Sequence, residues 1–149
     1  MSPRVLGRWM AIAMFSLALG ISQSNAQMLG SVFQMLGGMD TVSKLASALL
    51  QSSAKDPRLA GTMGKMDVGA ASPKLANQMC SMLGGGCKAP LTDAQISAGA
   101  SKLDASQTKA LLDNFNSALG NVTTNSLVRD GVTKAVGPEL GGIVGALLQ

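Results

Sequence analysis

The sequence predicts an all-α domain. Its apolar residues recur at spacings of three and four, as on one side of a helix, and no segment alternates in the way that a half-buried strand does. Gly, Pro and capping residues separate the apolar segments. The 149 residues are enough for one domain of about six helices.

The N-terminal segment has the order of a secretory signal peptide. Arg4 and Arg8 precede an apolar run over residues 9–21, and small residues follow up to Ala26. The run is shorter than the roughly 20 residues that span a bilayer, so a permanent anchor is the less favoured alternative. We expect residues 1–26 to be cleaved and the mature protein to be periplasmic or secreted, without a membrane contact.

The mature domain, residues 27–149, is then nearly neutral. Removing Arg4 and Arg8 from the 12 Lys and Arg leaves 10 against 8 Asp and Glu, a net charge of +2. The cations are scattered singly, and only Phe33 and Phe115 remain as aromatic residues. Nucleic-acid binding favours clustered cations and stacking rings, so we expect no nucleic-acid partner.

Capping residues predict where the first two long helices begin. Asp40 is expected to cap the first, which should end near Pro57. A loosely structured Gly-rich stretch, residues 61–72, is expected next. Ser72 with Pro73 predicts the start of the second helix, which should stop at the three glycines of residues 84–86. The inward positions would be Val42, Leu45, Leu49 and Leu50 in the first helix and Leu75, Met79, Met82 and Leu83 in the second.

The second half of the chain predicts three more helical segments. Thr92 should cap a short helix, and Ser106 should cap a clearer one that ends at Gly120. Gly137 and Pro138 predict that the last segment, residues 124–148, is kinked or divided. The core side of the helix after Ser106 would consist of Leu111, Leu112, Phe115, Ala118 and Leu119.

Few residues are suited to catalysis. The chain has no histidine, which excludes a His general base, a Ser-His-Asp triad and most zinc sites. The eight acidic residues are scattered, so a catalytic carboxylate pair has no support. We therefore expect no enzyme activity. Two Met-x-x-Met pairs, Met63 with Met66 and Met79 with Met82, leave a Cu(I) site as an alternative to ordinary core packing.

The two cysteines, Cys80 and Cys87, bracket the three glycines. An even pair in an exported protein is normally oxidised, and this pair would close a ring of eight residues. A chain-entropy estimate gives such a ring about 2.5 kcal/mol of stabilisation. Redox-active pairs usually have the Cys-x-x-Cys spacing, so we predict a structural disulfide. If the thiols were free, Cys80 would become available as a soft ligand for copper beside Met79 and Met82.

Several motifs together resemble one family. "LANQMCSMLGGGCK", residues 75–88, resembles the end of the distal helix in group I truncated haemoglobins, except that Gly86 stands where proline is common. "SVFQMLGG", residues 31–38, resembles the family's opening, and "AKDPRLA", residues 54–60, resembles the end of its second helix. "QISAGASKL", "QTKALLDNFNSAL" and "VGPELGGIV" resemble, in order, its proximal segment, the next helix and the final helix.

The resemblance covers essentially all of the mature chain and implies a two-over-two helical sandwich. In that family the fold binds haem and, through it, O2 or NO. This chain departs from the family where the haem is held: Ala100 falls at the histidine ligand and Leu50 at the distal tyrosine. Leu75 falls at the polar distal residue and Met63 at the phenylalanine that contacts the macrocycle. Met79 is the one remaining thioether that could serve as a ligand, and it lies on the distal side.

Two functions follow from the resemblance and its departures. The favoured one is an exported pseudo-globin that has lost haem coordination and binds a small apolar ligand or a protein partner. No cofactor is predicted for it. The alternative is a haem protein that binds O2 or NO through a ligand other than histidine. A plain helical interaction domain with an ordinary filled core is close to the first hypothesis.

Overall fold

A computed structural model describes residues 32–148, and all regular elements within this range are helical. The all-α prediction is therefore confirmed. The expected signal peptide, residues 1–26, lies outside the described residues.

The helices follow one another with short connections. A short helical segment at residues 32–36 precedes the first long helix. The numbered elements are α1 (Gly38–Lys55), α2 (Ala60–Met63), α3 (Val68–Met82), α4 (Asp93–Gly99), a 3-10 turn (Ala100–Lys102), α5 (Ala105–Val122) and α6 (Ser126–Leu147). Within residues 32–148, every helix is too short or too polar to cross a bilayer.

Helix α1 begins earlier than predicted. Gly37, at a φ of 118°, takes the left-handed conformation that ends the preceding helical segment, and its N–H donates to the carbonyl of Gln34 at 3.1 Å. The helix starts at Gly38 with no side-chain cap, so Asp40 lies in its first turn and the predicted cap is wrong. The predicted inward side is confirmed, because Val42, Leu45, Leu49 and Leu50 are all fully buried.

Helix α3 also starts before its predicted cap. The Asp67 carboxylate accepts from the N–H of Ala70 at 3.2 Å, so the helix begins at Val68 and Pro73 lies inside it. The prediction that Ser72 is the cap is therefore wrong, and much of the Gly-rich stretch is helical. The predicted end is confirmed: α3 stops at Met82, and the chain turns through Gly84 and Gly86 with φ values of 78° and 80°.

The later helices partly agree with the predictions. Thr92 caps α4 in a capping box with Gln95, as predicted for Thr92. The cap of α5 is Asp104 and not Ser106, because the Asp104 carboxylate accepts from the Gln107 N–H at 2.7 Å. Helix α5 continues through the predicted stop at Gly120 to Val122, and α6 is a single undivided helix that contains Gly137 and Pro138.

One hydrophobic core joins the helices. Helix α1 packs against α3 and α5, while α6 packs against α3, α4, the 3-10 turn and α5. Phe115 of α5 is fully buried and is one of the largest side chains of this core. The four helices α1, α3, α5 and α6 therefore contribute most of the buried side chains of the core.

Candidate functional site

The globin resemblance places five positions of this chain around the haem, and four of them lie in the hydrophobic core. Leu50 comes from α1, Met63 from the end of α2, and Leu75 and Met79 from α3. Each has 0% of its surface exposed, and all four belong to the same cluster of buried residues. A buried Leu or Met has no group that could polarise a bound gas or orient a polar ligand, so this region is apolar and closed to solvent.

The fifth position, Ala100, lies elsewhere. It is the first residue of the 3-10 turn and is exposed. It borders a surface depression of about 230 Å³ together with Asp93, Ser97 and Glu139. Lys102, two residues further on, is exposed as well. The structure thus brings Leu50, Met63, Leu75 and Met79 into one cluster and leaves Ala100 outside it.

Glycines fix the segment that carries Ala100 directly against α6. A Cβ atom at Gly99 would meet the carbonyl oxygen of Gly142 and the backbone nitrogen of Ala146. A Cβ at Gly145 would in turn meet the carbonyl group of Gly99. The two backbones therefore touch without side chains between them. Because the contact is between backbones, it leaves no space for a planar group between this turn and α6.

These residues do not fit a haem. The position expected to bind iron is an exposed alanine without a donor atom, and the side chains expected around the macrocycle belong to the buried hydrophobic core. Within the described part of the chain, no group of three or more His, Cys, Asp or Glu side chains could hold a metal ion either.

The predicted disulfide is confirmed. Cys80 and Cys87 are joined, with Sγ atoms 1.98 Å apart. The N–H of Gly85 donates to the carbonyl of Cys80 at 2.8 Å, and the ring of Phe33 lies over Gly85, where a Cβ would come within 2.7 Å of the ring edge. The bond leaves Cys80 without a thiolate, so the copper alternative at Met79 and Cys80 loses its cysteine ligand.

Gln78 is a buried polar residue that the sequence analysis missed. It is 4% exposed, and its Oε1 accepts from the backbone N–H of Leu91 at 3.2 Å. This bond ties α3 to the chain just before α4. Its position three residues after Leu75 places it on the apolar side of α3, and that spacing was the available signal.

An ion cluster joins the end of α1 to α5. Arg58 pairs with Asp56 at 2.8 Å and with Asp113 at 3.0 Å, and Asn114 donates to Asp56 at 3.0 Å. Hydrogen bonds from Arg58 lower the pKa of Asp56 well below its ordinary value and also lower the pKa of Asp113. The Asp56 side chain is only 9% exposed, whereas the Arg58 side chain is 46% exposed. The guanidinium group of Arg58 is bonded to both carboxylates, which links the end of α1 to α5, so we assign the cluster a structural role.

A groove runs between α1 and α3, which we call the α1–α3 groove. Its volume is about 530 Å³, within the usual range of ligand pockets. All of its lining residues are neutral: Met39, Ser43, Ser47 and Gln51 of α1, and Val68, Gly69, Ser72, Pro73, Ala76 and Asn77 of α3. The sequence gives no signal of this groove, because Ser72 is predicted to be a helix cap whose hydroxyl has a backbone partner, whereas it lies inside α3.

The hydroxyl of Ser72 has no hydrogen-bond partner within residues 32–148, although its oxygen is buried. Most buried polar atoms in native proteins are paired, so this one needs an explanation. Two other polar residues of the groove are paired with each other, because Gln51 donates to the Ser47 hydroxyl at 3.2 Å. Among the residues that line the groove, Ser72 is the one with a buried side-chain oxygen that has no partner within residues 32–148.

A second surface feature is apolar. Met35 is 56% exposed and Leu127 is 75% exposed, and they border a pocket of about 390 Å³ between the helical segment at residues 32–36 and the start of α6. Val32 is packed over Gly131 beside them. We call Val32, Met35 and Leu127 the apolar patch.

Comparison with known proteins adds no assignment: no family model matches the chain, and no curated protein or solved structure is significantly similar to it.

Proposed function

We propose that this protein is an exported, non-enzymatic binding module with a truncated-globin-like, two-over-two helical fold that does not coordinate haem. The observation that carries the proposal is the placement of the haem-pocket-equivalent residues. Ala100 is exposed and has no donor atom, while Leu50, Met63, Leu75 and Met79 are fully buried in one apolar cluster. A fold of this kind keeps its scaffold but has no place for the cofactor.

Two observations support the fold and the export. Helix α1 packs along α3 and α5 contacts α6, which is the pairing that a sandwich of two helix pairs needs. The disulfide between Cys80 and Cys87 is in keeping with an oxidising compartment, where such bonds persist.

The surface is where recognition would take place. Since the core is closed to solvent, we expect a ligand or a protein partner to bind at the surface, where two features are available. The α1–α3 groove is suited to a small molecule, and the apolar patch is suited to the apolar side chains of a partner. Function would then depend on the residues of the α1–α3 groove or of the apolar patch, and not on the five positions that the globin resemblance places around the haem.

The test is a titration of the purified, disulfide-bonded protein with haemin, followed by visible absorption. We expect weak binding without a sharp Soret band, because the chain has no histidine and the Met79 thioether is fully buried in the core. A sharp, stoichiometric Soret band would overturn the proposal in favour of a haem protein with a ligand other than histidine.

A matched variant identifies that ligand. Met79→Leu keeps the volume of the core side chain but removes the thioether, and swaps of this kind cost less than about 1.5 kcal/mol. The haemin titration of this variant should be identical to that of the parent protein. If a Soret band were present and Met79→Leu removed it, the band would come from coordination by Met79.

A further inference from the structure

We propose that a third depression of the surface binds a small monocarboxylate, whose carboxylate lies between Lys65 and Lys74 and whose short aliphatic chain lies against the end of α6. We call this depression the lysine pocket. Its volume is about 340 Å³, at the lower end of the range for ligand pockets. Three parts of the chain line it: α2 with the connection to α3, the first half of α3, and the end of α6 (Thr62, Lys65, Met66, Asp67, Ala70, Ala71, Lys74, Leu147 and Leu148).

The site goes beyond the proposed function and does not depend on the globin resemblance. The lysine pocket shares no lining residue with the α1–α3 groove or with the pocket at the apolar patch. It is also the one of these three in which two side chains of the same charge meet apolar surface. A binding site here would therefore be a separate property of the fold.

The two lysines of the pocket are accessible and have no ionic partner among the described residues. Both are exposed, and neither takes part in the three ion pairs of residues 32–148. The other polar side chains of the lining are engaged. The Thr62 hydroxyl accepts from the Gln107 amide at 2.6 Å, and the Asp67 carboxylate accepts from the N–H of Ala70 at 3.2 Å. A ligand can thus pair with both ammonium groups without breaking an ion pair of the described chain.

The charges of the lining select a monoanion. Two lysines and one aspartate give the pocket a net charge of +1. A neutral ligand would gain nothing from the ammonium groups, whereas a dianion would bring one negative charge too many close to Asp67. A carboxylate has two acceptor oxygens, and each ammonium group has three donors on a long, flexible stem. One carboxylate can therefore bind to both lysines at once.

The remaining lining selects the rest of the ligand. Met66, Leu147 and Leu148 are partly buried and pack against the core, and Ala71 is 7% exposed. They provide apolar surface in the same pocket as the lysines, and no aromatic side chain lines it for stacking. Each CH2 group that is buried against such a surface strengthens binding by up to about fourfold. A short alkyl chain suits this surface and the volume of about 340 Å³.

The end of α6 offers the two lysines a different role. The last carbonyls of a helix carry a partial negative charge that cations stabilise. In α6, the carbonyls of Val144 and Gly145 already accept from the N–H of Leu148 at 3.2 Å. The two roles differ in what they predict: lysines that stabilise the helix end contribute to folding without a ligand, whereas lysines that bind an anion contribute only when the anion is present.

The experiment is a titration of the disulfide-bonded protein with hexanoate, followed by amide chemical shifts in two-dimensional NMR. We expect saturable shifts at residues of the lysine pocket. Hexanamide, which keeps the chain but has no charge, should bind at least about fivefold more weakly, the effect of losing one partly exposed ion pair. Acetate, which keeps the charge but lacks the chain, should also bind at least about fivefold more weakly, because it buries fewer CH2 groups.

The double variant Lys65→Met/Lys74→Met removes both charges and keeps the aliphatic stems of the side chains. It should weaken hexanoate binding about fivefold or more and leave hexanamide binding unchanged. The urea midpoint of the ligand-free double variant should equal that of the parent protein. Lys44→Met/Lys88→Met is the matched control: it removes two exposed charges outside the pocket lining and should leave hexanoate binding unchanged.

Three outcomes would overturn the inference: no saturable shift with hexanoate, equal affinities for hexanoate and hexanamide, or unchanged hexanoate affinity in the double variant of the pocket. In the last case, a lower urea midpoint of that variant would assign the lysines to the end of α6. The haemin titration reports separately on the proposed function. A sharp Soret band together with hexanoate binding at the pocket would overturn the loss of haem coordination and leave the lysine pocket in place. Weak haemin binding without hexanoate binding would overturn the lysine pocket alone.

Discussion

Gly145→Ala should separate α4 from α6 and lower the stability of the protein. A Cβ at this position would occupy the same space as the carbonyl group of Gly99. Backbone atoms cannot rotate away as a side chain can, so the two helices have to move apart. Overpacking of this kind costs about 1–3 kcal/mol, and we expect the upper half of that range because the obstacle is backbone.

The opposing term is helix propensity, since alanine is better than glycine inside a helix by about 1 kcal/mol. The net effect of Gly145→Ala should therefore be a loss of about 1–2 kcal/mol in the free energy of unfolding. Gly141→Ala, on the same helix, is the matched control. Its Cβ would only contact the Thr108 methyl group at 3.4 Å, so it gains the propensity term without the steric cost.

Urea unfolding followed by far-UV circular dichroism measures both variants. The midpoint should fall for Gly145→Ala and rise or stay constant for Gly141→Ala, and the difference in unfolding free energy between them should be about 1–3 kcal/mol. If both midpoints rose by the same amount, the close backbone contact between α4 and α6 would not exist in solution.

Three further predictions concern stability. Cys87→Ser should lower the free energy of unfolding, measured with urea, by about 2.5 kcal/mol, because the loop entropy of one short ring is lost. A thiol count of zero in the unreduced parent protein checks that the disulfide is present. Because the pKa of Asp56 is lower in the folded than in the unfolded protein, its contribution is complete above the unfolded value and decreases as pH falls below about 4. Asp56→Asn should therefore make the urea midpoint less dependent on pH in that range. Asp130→Asn removes a carboxylate outside the three described ion pairs and should leave the pH dependence unchanged. If the midpoint changed equally with pH in the two variants, the stabilising role of the cluster would be contradicted. Asp104→Ala should cost about 0.5–2 kcal/mol and Ser106→Ala much less, and the reverse order would restore Ser106 as the cap of α5.

Periodicity predicted the buried sides of the helices well but their starts poorly. Phe115 and Leu119 are buried as expected, because burial follows a repeat that extends over a whole helix. A helix start depends on one capping group, and this chain offers competing candidates close together, Asp67 before Ser72 and Asp104 before Ser106. In both helices the earlier, acidic candidate is the cap, so α3 begins five residues and α5 two residues before the predicted start.

The candidate site could be predicted only in part. The sequence alone shows that Ala100 has no donor atom and that two cysteines bracket a glycine turn. Whether Leu75 and Met79 line a cavity or fill a core is a property of packing between helices that are distant in sequence. The unpaired hydroxyl of Ser72 is likewise visible only once α1 and α3 are placed side by side, since its assignment as a cap satisfied every local rule.

The contacts of the first described helical segment have a consequence for the order of folding. Phe33 packs on Gly85 and Val32 packs on Gly131, so both contacts join residues that are far apart in the chain. Contacts of such long range form late, because the entropy of closing the loop has to be lost before the contact forms. Residues 32–36 leave the ribosome before α1 to α6, yet their packing contacts are complete only when α6 has been synthesised. The part of the domain that is made first is therefore the part that is fixed in place last.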